Sequence, residues 1–490
     1  MKHLLFIVCI LASTLCIAGC MVGPRYQRPT VNSPDFFRGA NASEINSQAG
    51  SGQVISVEQL AREKTKAASL GDEQWAEVFK DPTLQQLIRE ALANNYDVNI
   101  AAQRVLEQQD QVGITRAQQF PTLSGGGSYT ALGLPSSLTK SLYSGGNGTS
   151  SYFAGGLSLS AAWNLDFWGL YRHQTEAARA RLLATEWGRR MTISTVVENV
   201  ATAYLQLRTL DSELEITKQT LEARKQSLQL TEALEQGGSG TLADVRQAEQ
   251  LLYTAAAAIP DYERQIEQEE NSISILLGRN PGSIVREASE MNWPQPEQIP
   301  TGIPSQVLER RPDIQQSEAE LVAANADVGA AKAQLFPQIS LSGMAGVASS
   351  QLKGLVDGKN TYWLASGNLT QPIFDAGKLR NNLRLSEAQK QEDVLVYQRT
   401  IKQAFQSVSD ALIGFQKFRE FREQEANLTA SAQDATRLAR LRYNGGSTSY
   451  LEVLTNDTNY YTAQLNLAVA KENEALSIVQ LYSALGGGWQ

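Results

Sequence analysis

The amino-acid sequence contains an internal repeat, and this repeat limits the possible folds more than any other feature. Residues 91–130 align without gaps with residues 307–346, and about ten of these 40 positions are identical. The later part of each copy aligns at a shift of 208 residues, so that Gly169 matches Gly377. Both copies therefore encode the same series of elements, and we expect the two halves of the chain to fold alike.

Each copy contains two segments with the alternating pattern of a β-strand. In the clearest of them the apolar side chains occupy every second position, and they are Leu157, Leu159, Ala161, Trp163, Leu165 and Phe167. The first strand of each copy follows a Phe-Pro pair, where proline ends the preceding helix. This alternation fits a wall with one face toward lipid and one toward water. A water-soluble β-sandwich would alternate equally well.

Long proline-free segments follow each pair of strands, and both carry the heptad spacing of a coiled-coil seam. The first seam comprises Ile193, Val196, Val200, Ala203, Leu207, Leu210 and Leu214. A shift of 208 residues gives the second seam, which comprises Ile401, Ala404, Val408, Ala411, Phe415 and Phe418. We therefore expect two long helices, over about 171–235 and 378–443. Shorter helices are expected over about 87–119, 242–277, 304–335 and 449–485.

The N-terminus is typical of a bacterial lipoprotein. A short charged start precedes an apolar run over residues 4–17, which is too short to span a membrane as a helix. The run ends in Ile-Ala-Gly-Cys20, which resembles a lipobox. We expect residues 1–19 to be a signal peptide and Cys20 to carry a diacylglycerol and an N-acyl chain such as palmitate. The alternative is an ordinary signal peptide followed by a chance cysteine.

Composition excludes several classes of function. The formal net charge of -8 over 490 residues is modest and does not favour a nucleic-acid partner. Loss of the signal peptide would remove Cys9 and Cys16 and leave Cys20 alone, which excludes an intrachain disulfide. The only histidines are His3 and His173, and the methionines are few and scattered. We therefore predict no enzyme activity, no metal site and no cofactor besides the covalent lipid.

Several sequence motifs carry a family resemblance. They are residues 165–169 (LDFWG), 303–305 (IPS), 308–314 (LERRPDI), 372–377 (PIFDAG), 442–443 (RY) and 450–454 (YLEVL). With the repeat, they make the chain resemble the TolC-like outer membrane efflux proteins, most closely the OprM/NodT-type lipoprotein branch. The resemblance implies an α+β membrane protein that forms a trimeric 12-stranded β-barrel, with four strands per chain. The barrel would continue into a long periplasmic α-helical coiled-coil barrel, with a mixed equatorial domain. Four strands alone are too few to close a barrel.

The resemblance and the repeat together predict a division of the chain. After the signal peptide (1–19), we expect a lipidated N-terminal and equatorial segment (20–86), a first repeat (87–278), an equatorial linker (279–303), a second repeat (304–485) and a tail (486–490). The strand hairpins are expected over about 120–169 and 336–377.

The implied function is that of an outer-membrane exit duct in a tripartite efflux system, anchored by lipid and extending into the periplasm. Such a duct exports small molecules such as drugs passively. Its implied partners are two further copies of itself, a periplasmic adaptor protein, an inner-membrane pump of the resistance-nodulation-division (RND) type and outer-membrane lipid. Two alternatives remain open at this stage: a structural coiled-coil lipoprotein tether, and the exit duct of a type I protein secretion system.

The resemblance also implies two kinds of site residue. The glycines of the two helix–turn–helix tips would contact the adaptor, and they are Gly237, Gly238, Gly445 and Gly446. A periplasmic gate would contain an apolar constriction at Leu451, acidic side chains at Asp244 and Glu452, and Tyr443. The chain departs from the expected pattern at Thr448, where TolC has an arginine, and at Thr455, where the family often has an aspartate. We therefore expect a weaker ionic latch, with Leu451 dominating.

Overall fold

A computed structural model describes residues 21–31, 34, 37–38, 69–134, 150–286 and 304–489. The signal peptide, Cys20 and most of the predicted equatorial linker lie outside these described residues. The chain divides into two compact units. The first unit contains residues 1–29, 106–184 and 318–396, and the second contains residues 30–105, 185–317 and 397–490.

The first unit contains a single four-stranded antiparallel sheet among the described residues. Its strands are β1 (Thr122–Leu134), β2 (Ser150–Leu165), β3 (Gln338–Ser349) and β4 (Thr361–Thr370). They hydrogen-bond in the order β1-β2-β3-β4, so the two hairpins of the repeat join edge to edge through β2 and β3. The prediction of four strands per chain is therefore confirmed.

The register of the sheet places the predicted apolar side chains on one face. Leu157 pairs with Val347 and Gly127, and Trp163 pairs with Leu341. The large side chains of this face are exposed in the single chain, and Trp363 is 80% exposed. No second sheet covers them in the described part of the chain, so the structure excludes a β-sandwich core. An exposed apolar face of this size is what a lipid-facing surface requires.

From the second one onward, the α-helices of the described residues follow the repeat. In chain order they are α1 (Trp75–Val78), α2 (Pro82–Asn94), α3 (Tyr96–Ala117), α4 (Leu170–Gln236), α5 (Leu242–Leu276), α6 (Pro304–Arg310), α7 (Pro312–Ala333), α8 (Lys378–Asn444) and α9 (Tyr450–Ala484). Both long helices, α4 and α8, begin and end within one residue of their predicted bounds. Across the residues that the structure describes, no helix combines the length and apolar character needed to cross a bilayer.

The helices predicted before each strand pair are not continuous, so that prediction was wrong. The first is divided at Asn95 and the second at Arg311, which are matching positions of the repeat. Asn95 interrupts the helix because its side-chain oxygen accepts hydrogen bonds from the backbone N–H groups of Asp97 (2.8 Å) and Val98 (3.2 Å). In the second copy Pro312 has no N–H to donate and suits the first position of a new helix.

The predicted coiled-coil seams form much of the core of the second unit. Val196, Val200, Ala203 and Leu207 are buried in α4, as are Ile401, Ala404, Val408, Ala411 and Phe415 in α8. Phe418, the last predicted residue of the second seam, is 36% exposed. The 3,4 spacing therefore identified the centre of both buried stripes, while the predicted Ile193, Leu210 and Leu214 on α4 are only half-buried.

Candidate functional site

The two helix–turn–helix tips have nearly the same backbone. The α4–α5 tip contains Gly237 and Gly238, and the α8–α9 tip contains Gly445 and Gly446. Gly238 has a φ of 71° and Gly446 a φ of 69°, a left-handed conformation that closes both helices. The N–H of Gly237 donates to the carbonyl of Ala233 at 3.0 Å, and its counterpart in the second tip is equally bonded. All four predicted tip glycines therefore lie at tight reversals.

The first residues of α5 form a capping box. The Thr241 hydroxyl oxygen accepts the backbone N–H of Asp244 at 3.2 Å, and the Asp244 carboxylate accepts the backbone N–H of Thr241 at 3.1 Å. The same carboxylate also accepts the Thr241 hydroxyl at 2.8 Å. Asp244, predicted as an acidic gate residue, is therefore bonded within its own helix start.

The first residues of α9 are arranged differently. The Glu452 carboxylate accepts Nη1 of Arg442 at 2.7 Å and also the hydroxyl of Thr448. Leu451 makes no such polar contact and is 58% exposed. Arg442, on the opposite helix of the same hairpin, therefore supplies a guanidinium to Glu452. Arg442 stands in one of the quoted motifs, but the motif gave no indication of this contact.

Tyr443, near the end of α8, packs against residues of both hairpins. Its ring contacts that of Tyr450 with centroids 5.3 Å apart, and the Tyr450 hydroxyl lies 3.1 Å from the hydroxyl of Ser227 on α4. Burial raises the pKa of Tyr443, and the negative charge of Asp244 raises this pKa further. The charge of Asp244 thus acts on Tyr443, while Glu452 is bonded to Arg442 and Thr448.

A charged cluster lies next to these aromatic rings. The Asp457 carboxylate accepts Nε of Arg224 at 3.0 Å and Nη2 of Arg440 at 2.7 Å. None of these three residues was among the predicted site residues. A signal was present, because Tyr450, Val453 and Asp457 follow the 3,4 spacing of a buried seam and an acidic residue is unusual there.

The described chain begins beside the ends of the strands in the first unit. The N–H of Val22 donates to the carbonyl of Trp168 at 3.1 Å, and Met21 packs against Gly169. Trp168 stacks on Phe336 with centroids 4.8 Å apart. These two aromatic residues follow β2 and precede β3, so Met21 is held where the strands end. Cys20 itself lies outside the described residues.

The following residues fasten this N-terminal segment to α7. Nδ2 of Asn325 donates to the carbonyl of Pro24 at 3.0 Å, and Nη2 of Arg28 donates to Glu318 at 2.6 Å. The buried ring of His173 lies between Gly23 and Gly329, where a Cβ on either glycine would come within 2.8 Å of Nε2. The segment therefore has a defined path along the helices of the first unit.

Neither location has the layout of a metal centre. Within the described ranges, no group of three or more His, Cys, Asp or Glu side chains is placed to hold a metal ion. The tips contain an exposed leucine (Leu451), one carboxylate in each tip (Asp244 and Glu452) and tyrosine hydroxyls. Such groups can narrow and charge an opening.

Comparisons with known proteins agree with this geometry. Residues 87–279 and 303–487 match the model of the family described as outer membrane efflux protein. The solvent efflux pump outer membrane protein SrpC of Pseudomonas putida is 35% identical over 475 residues, with 97% of both chains covered. The cation efflux system protein CusC of Escherichia coli (strain K12) is 31% identical over 474 residues, with 97% of both covered. The crystal structure of the Campylobacter jejuni CmeC outer membrane channel has a TM-score of 0.84 at 25% identity, covering 96% of this chain and 95% of that one.

These matches span nearly the full length of both partners, so they apply to the strands and the helical hairpins alike. They confirm the predicted resemblance, the α+β channel fold and the predicted class of function. The chain belongs to the outer membrane efflux protein family and serves as the outer-membrane exit duct of an efflux system.

Proposed function

We propose that three copies of this chain form one passive duct, with four strands from each copy in a twelve-stranded barrel. An inner-membrane RND-type pump supplies the energy, and a periplasmic adaptor joins the pump to the glycine tips. The duct itself catalyses no reaction and needs no cofactor. The observation that carries this proposal is the exposed apolar face of the four-stranded sheet, which a single chain leaves uncovered.

We propose that Cys20 is lipidated and that the lipid enters the inner leaflet of the outer membrane. The support is positional. Met21, the next residue, is held beside Gly169 and Trp168, where the strands end. Because membrane strands end at the bilayer surface and aromatic residues collect there, an acyl chain on the preceding residue would reach lipid directly.

The remaining assignments follow the same proposal. The division of the chain at 20–86, 87–278, 279–303, 304–485 and 486–490 is retained. Leu451 forms the narrowest apolar ring of the periplasmic entrance, with Glu452, Asp244 and Tyr443 around it. The cargo is small toxic molecules. The names of SrpC and CusC specify solvents and cations, so these are the two classes of cargo to test.

The test is reconstitution of the purified, full-length lipidated protein in planar bilayers. We expect discrete conductance steps and a trimer in detergent. A coiled-coil tether would bind vesicles through its lipid but give no conductance steps.

Deletion of the gene separates the two kinds of duct. Sensitivity to solvents, dyes or antibiotics supports efflux, and loss of a secreted protein without such sensitivity supports type I secretion.

A further inference from the structure

The contact between the two helical hairpins is built around a buried charge network. The side chain of Arg224 is 3% exposed and that of Asp457 is 9% exposed. Arg224 also donates to the carbonyl of Leu251 on α5 at 2.9 Å and lies 5.1 Å from the ring centroid of Tyr461. Every helix of both hairpins therefore contributes a group to this network or lies against it. A buried ion pair with this many partners has a defined geometry.

Apolar packing closes the network from the side of the tips. Ala248, Ala439, Tyr450 and Val453 form a buried cluster, with one residue from each of α5 and α8 and two from α9. The cavity between this cluster and Arg224 measures about 10 Å³, which is no larger than a water molecule needs. The two hairpins are therefore closely packed next to Asp457.

The residues of this network are not repeated at the matching positions of the other copy. At a shift of 208 residues, the counterparts of Arg224, Asp457 and Arg440 are Ala432, Glu249 and Glu232. Glu249 pairs with Arg246 on its own helix at 2.7 Å and makes no pair like that of Asp457. The surfaces that the repeat would use for an equivalent contact therefore lack the two arginines.

We propose that Asp457 is a positioning residue that ties the α4–α5 hairpin to the α8–α9 hairpin of the same chain and thereby holds Leu451 in place at the entrance. Asp457 follows Leu451 by six residues on α9, about 9 Å along the helix axis. A shift of α9 at Asp457 therefore moves Leu451 with it. This inference rests on the proposed function of the tips as the entrance.

The first experiment measures the distance between the two hairpin tips in the purified, detergent-solubilised protein. Ser239→Cys and Ser447→Cys, both at exposed tip positions, are spin-labelled together, and labelled chains are diluted with unlabelled ones. We expect Asp457→Asn to lengthen and broaden the distance distribution between the labels, because Arg224 loses its counter-charge. Glu249→Gln, the repeat counterpart, is the matched control and should leave the distribution unchanged. Asp457→Glu should restore much of the original distribution.

The second experiment measures conductance in planar bilayers. We expect Asp457→Asn to raise the mean conductance several-fold and Glu249→Gln to leave it unchanged. If the unaltered protein forms no channels, the proposed function fails, and the label distances still test the tie. If the unaltered protein conducts and Asp457→Asn changes neither distance nor conductance, the inference is overturned.

If Asp457→Asn fails to assemble, a variant of Arg440 provides a second test. Its side chain is 42% exposed, and Arg440→Met keeps the Arg224–Asp457 pair intact. We expect a smaller change of the label distance in the same direction. Arg224→Met removes the tie from the α4 side instead, and an unchanged distance in both variants would contradict the proposal that Asp457 joins the two hairpins.

Discussion

The two hairpin tips share a backbone and differ in chemistry. Both reverse through a left-handed glycine, with three matching hydrogen bonds between the turn and the preceding helix. In the first tip the acidic residue Asp244 completes a capping box with Thr241. In the second, Ser449 makes no side-chain cap, and Glu452 binds Arg442 of the opposite helix. The two copies of the repeat therefore share the turn, while the acidic side chain stabilises its own helix start in the first copy and contacts the opposite helix in the second.

The largest effect should come from the exposed leucines of the two tips. Leu451 and Leu242 are each 58% exposed. We propose a place in the constriction for Leu451 only. We expect Leu451→Ala to raise single-channel conductance several-fold, because a smaller side chain widens an apolar ring. Leu242→Ala is the matched control and should have no effect. Equal effects of both variants would contradict the functional difference between the tips.

The turn glycines should respond equally in both tips. A Cβ at Gly238 or Gly446 would meet no atom within 4 Å, so the cost of alanine is the left-handed backbone alone. We expect Gly238→Ala and Gly446→Ala each to lower the free energy of unfolding by roughly 1–2 kcal/mol. Chemical denaturation of the solubilised protein measures this, with the exposed counterparts Gln236→Ala and Asn444→Ala as controls. A cost confined to one tip would mean that the two turns are not equivalent.

The helix caps should separate the two tips again. Thr241→Ala removes a hydroxyl that caps α5, and we expect a loss of about 1 kcal/mol in the free energy of unfolding. Ser449→Ala should cost much less, because no side-chain bond is present at the start of α9. The same denaturation measurement compares the pair. Equal losses would show that Ser449 caps its helix in solution.

The smallest effect concerns pH. Burial, with the charge of Glu472 adding to it, raises the pKa of Glu213 on α4 from 4.5 to about 7. The unfolded chain therefore loses this proton at lower pH than the folded chain, so stability should fall as the pH rises from about 4.5 to about 7 and then level off. The raised pKa values of Glu269 and Glu472 act in the same direction.

Replacement of Glu213 tests this pH dependence. At pH 8 we expect Glu213→Gln to raise the free energy of unfolding by at most about 1 kcal/mol, since the site is partly solvated. Its repeat counterpart on α8 is the exposed Phe421, and Phe421→Gln should leave the pH dependence unchanged. A profile that stays equally steep in Glu213→Gln would show that Glu213 does not cause it.

Much of the candidate site was predictable from local sequence. Gly237, Gly238, Gly445 and Gly446 lie at the reversals because two glycines between long helical patterns permit few other conformations. The roles of Arg442 and Asp457 were not predictable in the same way. Their partners lie 10 residues away in one case and 233 in the other, and no local pattern fixes such pairs.

The sequence alone determined the repeat, the alternation of the strands and the coiled-coil seams, because each of these is a periodic pattern that the backbone geometry imposes on its own neighbourhood. It also carried the motifs of the family. Only the tertiary structure decided that Glu452 binds Arg442 across a hairpin and that Asp457 joins two hairpins. The reason is physical: the partner of a charged side chain depends on how helices far apart in sequence pack together, and that packing is not encoded in any single segment.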